Sequence, residues 1–220
     1  MALITYSSGS GNSVSAISGT NTSPTNSWTH TGATGLYQVA ILVGSITGNS
    51  TGATATASYG GTAMTALGTY NWGNANSISA FYLVRPASGS QTASVTFSVS
   101  SGLVARQTSA VVAIYNGAQK ADSISSATAT STSATISETN LVPSNFAIFA
   151  HAHSGAADYL SFSRTQRVTT AATSYNRLTI GDGTNTTGSL SSTVTLSSSD
   201  DIVSLAFTLY RKADQEFFSF

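Results

Sequence analysis

A two-residue alternation of apolar and polar side chains runs through almost the whole sequence, and the 3.6-residue period of an amphipathic helix is almost absent. The stretch TASVTFSVS at 92–100 is the clearest example. Val95, Phe97 and Val99 lie on one side of a strand there, and the hydroxyl side chains between them lie on the other. The alternation predicts strands at 36–46, 54–59, 62–70, 77–85, 92–100, 109–117, 132–137, 145–152, 158–163, 177–181, 190–197 and 201–211.

Turn-forming residues separate several of these strands. Gly60-Gly61, Asn116-Gly117 and Asp182-Gly183 predict tight turns, and Arg85-Pro86 ends a strand because proline cannot donate to a ladder. The segment SSATATSTSAT at 125–135 is low in complexity and fits either a loop or an edge strand.

Many short strands at fairly even spacing, without long helices, predict an all-β fold in the form of an antiparallel, jelly-roll-like β-sandwich. A closed barrel is the alternative that the same pattern allows. No linker divides the chain into two domains. We predict a Ser/Gly-rich N-terminal arm or first strand at 1–26, followed by one β-sandwich domain at 27–220.

The scarcity of charge is the most unusual feature of the composition. Charged residues make up 7 % of the chain, against about 25 % in an average soluble domain, and the formal net charge is zero. Nucleic-acid binding depends on basic clusters, and no such cluster is present, so we expect no nucleic-acid partner. The apolar run VAILV at 39–43 is far shorter than the ~20 residues that cross a bilayer, so we expect no membrane insertion.

The chain contains no cysteine, which excludes disulfides and cysteine-based metal or nucleophile sites. The first residues, MALITYSSGSGNSVSA, lack the basic and long apolar segments of a secretory signal. These features predict synthesis in the cytoplasm without a signal peptide.

Two histidines one residue apart, His151 and His153 in FAIFAHAHSG, form the strongest candidate for a chemical site. On a strand both imidazoles share a face with Ala147 and Phe149. A zinc site normally needs a third protein ligand, and His30 is the only other histidine. We interpret the pair as the point where a strand leaves its sheet, and we predict no metal and no cofactor.

No catalytic residues are predicted either. Asp200 and Asp201 are adjacent, so on a strand they point to opposite faces and cannot act together on one substrate. The segment GDGTNTTG at 181–188 fits a hairpin turn better than a calcium loop. An enzyme of the glycosidase or lyase type would require Asp158, Asp182 or Asp200 to face His151 and His153 across a cleft.

Aromatic residues are the remaining candidates for ligand or interface contacts. Trp28 lies in NSWTHTG, and YNWGNAN at 70–76 predicts that Tyr70 and Trp72 lie in a loop rich in Asn and Gly. All three fit sugar stacking, an interface, or the covering of an open end of the sandwich. The last residues, EFFSF, contain further candidates and fit either a last strand on the core or a tail that docks on a neighbouring subunit. The candidates in this segment are Phe217, Phe218 and Phe220.

Three segments carry a resemblance: YGGTAMTALG at 59–68, SISAFYLVRPASGSQTASVTFS at 77–98 and SAVVAIYNGAQ at 109–119. Their order is a Gly-Gly hairpin, an aromatic strand ending in x-Pro-x-x-Gly, a Thr/Val strand and a strand closing in Asn-Gly. This combination resembles jelly-roll-like β-sandwich domains of bacteriophage virion proteins, such as tail, fibre and head-surface components. The resemblance covers residues 36–119 well and the remainder only in general style. Its motifs are structural, so it carries over no functional residues.

The resemblance implies a virion protein that is made in the host cytoplasm and acts without turnover, most simply as a capsid decoration protein or a head or tail fibre subunit. Its partners would be other virion proteins, in the capsid or tail, and copies of itself. The composition agrees, because an uncharged surface lets many copies pack without repulsion. The alternative function is a lectin-like adhesin that binds a host-surface glycan through Trp28, Tyr70 and Trp72.

Overall fold

The structure is a computed structural model that describes residues 3–18, 20–35, 37–48, 53–72, 76–100, 106–139, 145–170, 176–184 and 188–211. These residues form fifteen β-strands and no helix. Accordingly, the described part of the chain contains no helix that is long and apolar enough to cross a membrane. The strands are β1 (Thr5–Ile17), β2 (Thr25–Gly32), β3 (Gln38–Thr47), β4 (Thr54–Tyr59), β5 (Thr62–Ala63), β6 (Thr65–Trp72), β7 (Asn76–Val84), β8 (Gly89–Ser98), β9 (Arg106–Asn116), β10 (Ala118–Glu138), β11 (Phe146–His153), β12 (Tyr159–Phe162), β13 (Thr165–Thr169), β14 (Arg177–Thr184) and β15 (Leu190–Arg211).

The strands form three sheets, in which all the described pairings are antiparallel. The central sheet has the order β1-β9-β3-β7-β6, and the front sheet has the order β2-β8-β4-β5. The back sheet has the order β10-β15-β11-β14-β13, and β12 also pairs with β15. The predicted all-β, antiparallel, sandwich-like class is confirmed. The third sheet goes beyond what the strand pattern predicted.

The central sheet is buried on both faces. Alternate residues of β3 enter different cores: Ile41 packs towards the back sheet, and Leu42 packs towards the front sheet. The same division holds in β9, where Ala113 and Ile114 belong to opposite cores. This explains why β3 and β9 are apolar on both sides, whereas an ordinary sandwich strand alternates.

Two hydrophobic cores therefore hold the three sheets together. The back core joins Ile41 and Val111 of the central sheet to Ile148, Leu205 and Phe207 of the back sheet. The front core packs other side chains of the central sheet against alternate residues of the front sheet. Its front-sheet members include Tyr59, Ala93, Val95 and Phe97.

The strands β10 and β15 form a long ribbon that bends over the back sheet. Their register jumps from Ser131–Asp200 to Ser133–Thr195, which marks the bend. Beyond it, Val194 packs against Ile202 of its own strand. Another contact joins Ile136 of β10 to a small cluster on β11 that contains Ala147 and Phe149. We call residues 133–138 and 190–197, together with β12, the folded-over layer.

The order of strands agrees well with the sequence prediction in the first half of the chain. The prediction for 54–59 matches β4. The segment 125–135 lies in β10, at the edge of the back sheet, so the edge strand is the correct one of its two alternatives. Within residues 1–26 the structure shows β1 along the edge of the central sheet, and the boundary at 26/27 falls inside β2. The strands β2 and β13 were not predicted, because each is short and mostly polar.

One turn prediction is confirmed and one is wrong. Gly60 and Gly61 have φ values of 56° and 78° and connect β4 to β5, as expected for a tight hairpin. Asp182 and Gly183, in contrast, lie inside β14, where Asp182 pairs with Ile148. An ion pair with Arg167 (Nε–Oδ2 2.6 Å) explains how this carboxylate is accommodated inside the sheet.

Gly181 on β14 packs closely against Phe162 of the folded-over layer, and a substitution can test this contact. A Cβ atom at this position would lie 2.8 Å from both Phe162 Cζ and the carbonyl oxygen of Thr165. We expect Gly181→Ala to lower the free energy of unfolding by about 1–3 kcal/mol, measured by urea denaturation, because overpacking forces neighbours apart. The exposed Ser161→Ala change on β12 is the control and should cost under about 0.5 kcal/mol. Equal stability of the two variants would contradict the described packing.

Candidate functional site

The histidine pair lies at the end of β11, on the face that the folded-over layer covers. As predicted, it shares this face with Ala147 and Phe149, while Ile148 points into the back core. The strand ends at His153, which also agrees with the prediction. Both imidazoles are nonetheless fully buried, at 0 % exposure, so a strand that leaves its sheet is not a sufficient explanation for them.

His151 is held between two serines. Its Nδ1 lies 2.7 Å from Ser204 Oγ on the adjacent part of β15, and its Nε2 lies 3.1 Å from Ser192 Oγ in the folded-over layer. Burial lowers the pKa of His151 to about 3, because the surroundings offer no charge to offset the desolvation of an imidazolium. The ring is therefore a neutral link between two layers of the protein.

His153 is paired with Asp200. Its Nδ1 lies 2.9 Å from Asp200 Oδ2, and the same oxygen accepts a hydrogen bond from the Gly155 backbone N–H at 2.7 Å. Burial lowers the pKa of His153, and this effect outweighs the opposing attraction of Asp200. Its Nε2 is buried without a hydrogen-bond partner in the described structure. Tyr159 packs edge-on against the ring, with 4.9 Å between the ring centroids.

The acidic residues around the pair do not converge on an open cleft. Asp200 binds His153, whereas Asp201 accepts a hydrogen bond from Thr130, which confirms that the adjacent acids point to opposite sides. Asp158 pairs with Arg177 instead. Within the described ranges, no group of three or more His, Cys, Asp or Glu residues could hold a metal ion. The two imidazoles and Asp200 thus act as structural links at this position.

The third histidine, His30, lies on β2 and is part of a separate contact. Its Nδ1 lies 2.9 Å from Ser10 Oγ, and its Nε2 lies 3.2 Å from Ser8 Oγ. The side chain links the front sheet to β1 of the central sheet. Burial lowers the pKa of His30 as well.

A cavity of about 430 Å³ is lined by Tyr159, Phe162, Arg167 and Arg177 among other residues. Both arginines already have carboxylate partners, Arg167 with Asp182 and Arg177 with Asp158. The hydroxyl of Tyr159 donates to the carbonyl oxygen of His151 at 2.7 Å. One nitrogen of each guanidinium and the Tyr159 hydroxyl are thus engaged with the protein itself.

The aromatic candidates lie mostly inside the protein. Trp28 is partly buried against the front core and donates from Nε1 to Ser10 Oγ at 2.9 Å. Trp72 is only 4 % exposed and lines a cavity of about 310 Å³ beside Asp201. Tyr70 packs against the back core. The predicted loop at Tyr70 and Trp72 is wrong, because both residues lie in β6 and pair with β7. The remaining candidates, Phe217, Phe218 and Phe220, lie outside the described residues.

The outward face of the front sheet carries a uniform set of side chains. We call it the hydroxyl face, because every outward-pointing residue of β2, β4 and β8 is Ser or Thr. The strand register aligns them in rows across the sheet, such as Thr25, Thr96 and Thr56. Thr25 and Thr96 are hydrogen-bonded through their hydroxyls at 2.9 Å. The hydroxyl face consists of Thr25, Ser27, Thr29, Thr31, Thr54, Thr56, Ser58, Ser90, Thr92, Ser94, Thr96 and Ser98.

Sequence reasoning found only part of this face. The alternation in 92–100 placed Thr96 and Ser98 on the polar side of a strand, as the structure has them. The contribution of β2 was missed, although the sequence TNSWTHTG alternates hydroxyl residues with Asn26, Trp28 and His30. Two of these inward residues are polar, which hid the strand from a search for apolar alternation.

Comparisons with known proteins give little further information. No protein-family model matches the chain, and no curated protein matches it. A solved structure of the STIV MCP, a major capsid protein, shows a weak structural match with a TM-score of 0.30 and 8 % sequence identity. The alignment covers 96 % of this chain and 99 % of that chain. A superposition at this level carries no argument about function.

The buried neutral state of His151 leads to a prediction about pH. The imidazole of His151 binds a proton near pH 6.5 in the unfolded chain, but only near pH 3 in the folded protein. Between these values the free energy of unfolding should fall as the pH falls, by up to about 1.4 kcal/mol per pH unit from this group. We expect His151→Gln to remove this part of the slope in urea denaturation between pH 6.5 and about 4. Parallel pH profiles for the variant and the unmodified protein would contradict the assignment.

Proposed function

We propose that this chain is a non-enzymatic structural protein of a bacteriophage virion, a capsid decoration protein or a head or tail fibre subunit at the particle surface. It would act by repeated contacts with the shell or tail and with copies of itself. The observation that carries the proposal is the hydroxyl face of the front sheet, which contains no charged side chain. The sequence resemblance to phage virion domains at 36–119 supports the same role.

The chemistry of the hydroxyl face suits contact with many partners. Each hydroxyl donates one hydrogen bond and accepts others, so it can pair with most polar groups on a facing protein. Short Ser and Thr side chains lose little conformational entropy on contact, unlike Lys or Glu. The absence of charge also removes repulsion between identical copies and makes such contacts insensitive to salt.

The size of the face indicates contacts that are individually weak. From strand spacing and length, the three long strands of the front sheet present roughly 400 Å². A stable protein–protein interface uses about 800 Å² on each partner. One face alone is therefore too small for a tight complex. Contacts of this size become effective when they are repeated across a lattice or fibre.

The alternative of a glycan-binding adhesin receives less support from the site. Sugar stacking requires an exposed ring face, and Trp72 is 4 % exposed while Trp28 packs against the front core. The non-enzymatic part of the proposal rests on the complete burial of His151 and His153. We accordingly favour structural contacts over ligand binding or turnover.

The proposal is tested in particles of the phage that encodes the chain. We expect mass spectrometry of purified, nuclease-treated particles to detect it in many copies per particle. Immunogold labelling should then place it on the outer surface. Its absence from the particles, with presence in the infected-cell lysate, would contradict the proposal.

Two matched substitutions test whether the hydroxyl face makes the contact. Thr25 on this face and Thr135 in the folded-over layer are both exposed. Thr25 is hydrogen-bonded to Thr96 on the neighbouring strand at 2.9 Å, and Thr135 is hydrogen-bonded to Thr193 at 2.8 Å. We expect Thr25→Lys to lower the copy number per particle several-fold, because it buries an unpaired charge in the contact. The control Thr135→Lys should assemble normally. Both variants should keep their unfolding free energy within about 0.5 kcal/mol. Equal incorporation of the two would rule out the hydroxyl face as the contact surface.

A further inference from the structure

An apolar cavity of about 370 Å³ lies at one end of the back core, between the central and back sheets. Its lining includes Leu3, Ile4, Tyr6, Phe146 and Arg167. Leu3 is 66 % exposed, so the rim of this cavity presents a large apolar side chain to solvent. The volume lies within the range of about 300–1,000 Å³ that binding pockets in proteins usually have.

The walls of the cavity are suited to an aromatic occupant. Tyr6 meets Tyr115 edge-on, with 5.8 Å between ring centroids, and Tyr115 lies 5.6 Å from Phe146. The guanidinium of Arg167 lies 4.8 Å from the centroid of the Tyr6 ring. Aromatic pairs prefer centroid separations of about 4.5–7 Å, so a further ring could extend this cluster.

The end of β15 lies beside this cavity. Arg211, the last described residue, pairs with Ala118. Gly117 comes just before Ala118, and a Cβ atom built on it would lie 2.7 Å from the carbonyl oxygen of Leu3. On the other side of β15, Leu209 pairs with Phe146 of the cavity wall. The chain that follows Arg211 therefore starts at the same end of the molecule as the opening.

The sequence after Arg211 is KADQEFFSF, residues 212–220. Nine residues can extend over about 30 Å, whereas the cavity lies within about two strand spacings, or roughly 10 Å, of Leu209. The segment is thus long enough to turn and reach the opening. In an extended segment Phe218 and Phe220 share one side, with Ser219 on the other.

We propose that residues 212–220 dock on their own chain, with Phe218 and Phe220 in the cavity between the central and back sheets. The aromatic rings would cover Leu3 and pack against Tyr6 and Phe146 of the cavity wall. This assigns the EFFSF segment to the end of the back core. It does not depend on a role in a virion.

Disulfide trapping tests the proposal directly, because the natural chain has no cysteine. The variant Leu3→Cys with Glu216→Cys keeps all three phenylalanines and places one thiol at the exposed rim of the cavity. In an extended segment residue 216 shares the side of Phe218 and Phe220, so its thiol faces the cavity when the rings are docked. Under mild oxidation we expect an intrachain disulfide in the monomer, detected by non-reducing mass spectrometry. A disulfide-linked dimer through the same two positions would show that the segment docks on a second copy, which would overturn the proposal.

Two controls separate docking from random encounters of a flexible segment. Adding Phe218→Ser and Phe220→Ser to the double-cysteine chain keeps the linker length, and with it the effective concentration of an undocked thiol. Docking would raise the effective concentration of the thiol at the cavity above that of an undocked segment. We therefore expect the two serine substitutions to slow intrachain disulfide formation about tenfold or more. An unchanged rate would overturn the proposal. Leu160, also 66 % exposed but on β12, provides a second control, and Leu160→Cys with Glu216→Cys should give little intrachain product. Trapping there as fast as at Leu3 would also count against docking.

Discussion

Burial of the central sheet on both faces is the constraint on which the rest of the structure depends. β3 and β9 contribute alternate side chains to the front and back cores, so the front and back sheets are held through them. A two-sided sheet cannot use polar residues on either face without giving them partners. The apolar side chains along the middle of these two strands follow from this position.

Many of the polar groups that lie inside are satisfied by hydroxyls, amides and backbone carbonyls. Asn176, at the start of the back sheet, accepts from Ser45 Oγ at 2.8 Å and donates to the Gln107 carbonyl at 3.2 Å, and so connects the back and central sheets. Arg106 is fully buried and donates to backbone carbonyls, among them those of Asn21 and Ser100. Hydroxyls, amides and carbonyls thus replace the ion pairs of an average domain. The same chemistry, turned outwards on the front sheet, gives the uncharged surface from which we infer a structural role.

The sequence was informative wherever one face of a strand is apolar, as in β4 and β8. It failed where tertiary contacts change the meaning of a residue type. Asp182 and Gly183 have the composition of a turn, but Arg167 neutralises the carboxylate and the strand continues. The folded-over layer could not be foreseen, because local alternation does not reveal that β15 bends back onto its own sheet. The complete burial of His151 is a consequence of that bend.

Amide hydrogen exchange of the isolated protein tests most directly whether the central sheet organises the fold. The most protected amides of a protein are those that open only with the whole molecule. We expect the slowest exchange in β3 and β9, with faster exchange in the folded-over layer, which packs on one side only. If residues 133–138 and 190–197 exchange as slowly as β3, or more slowly, the central sheet is not the element that holds the structure together.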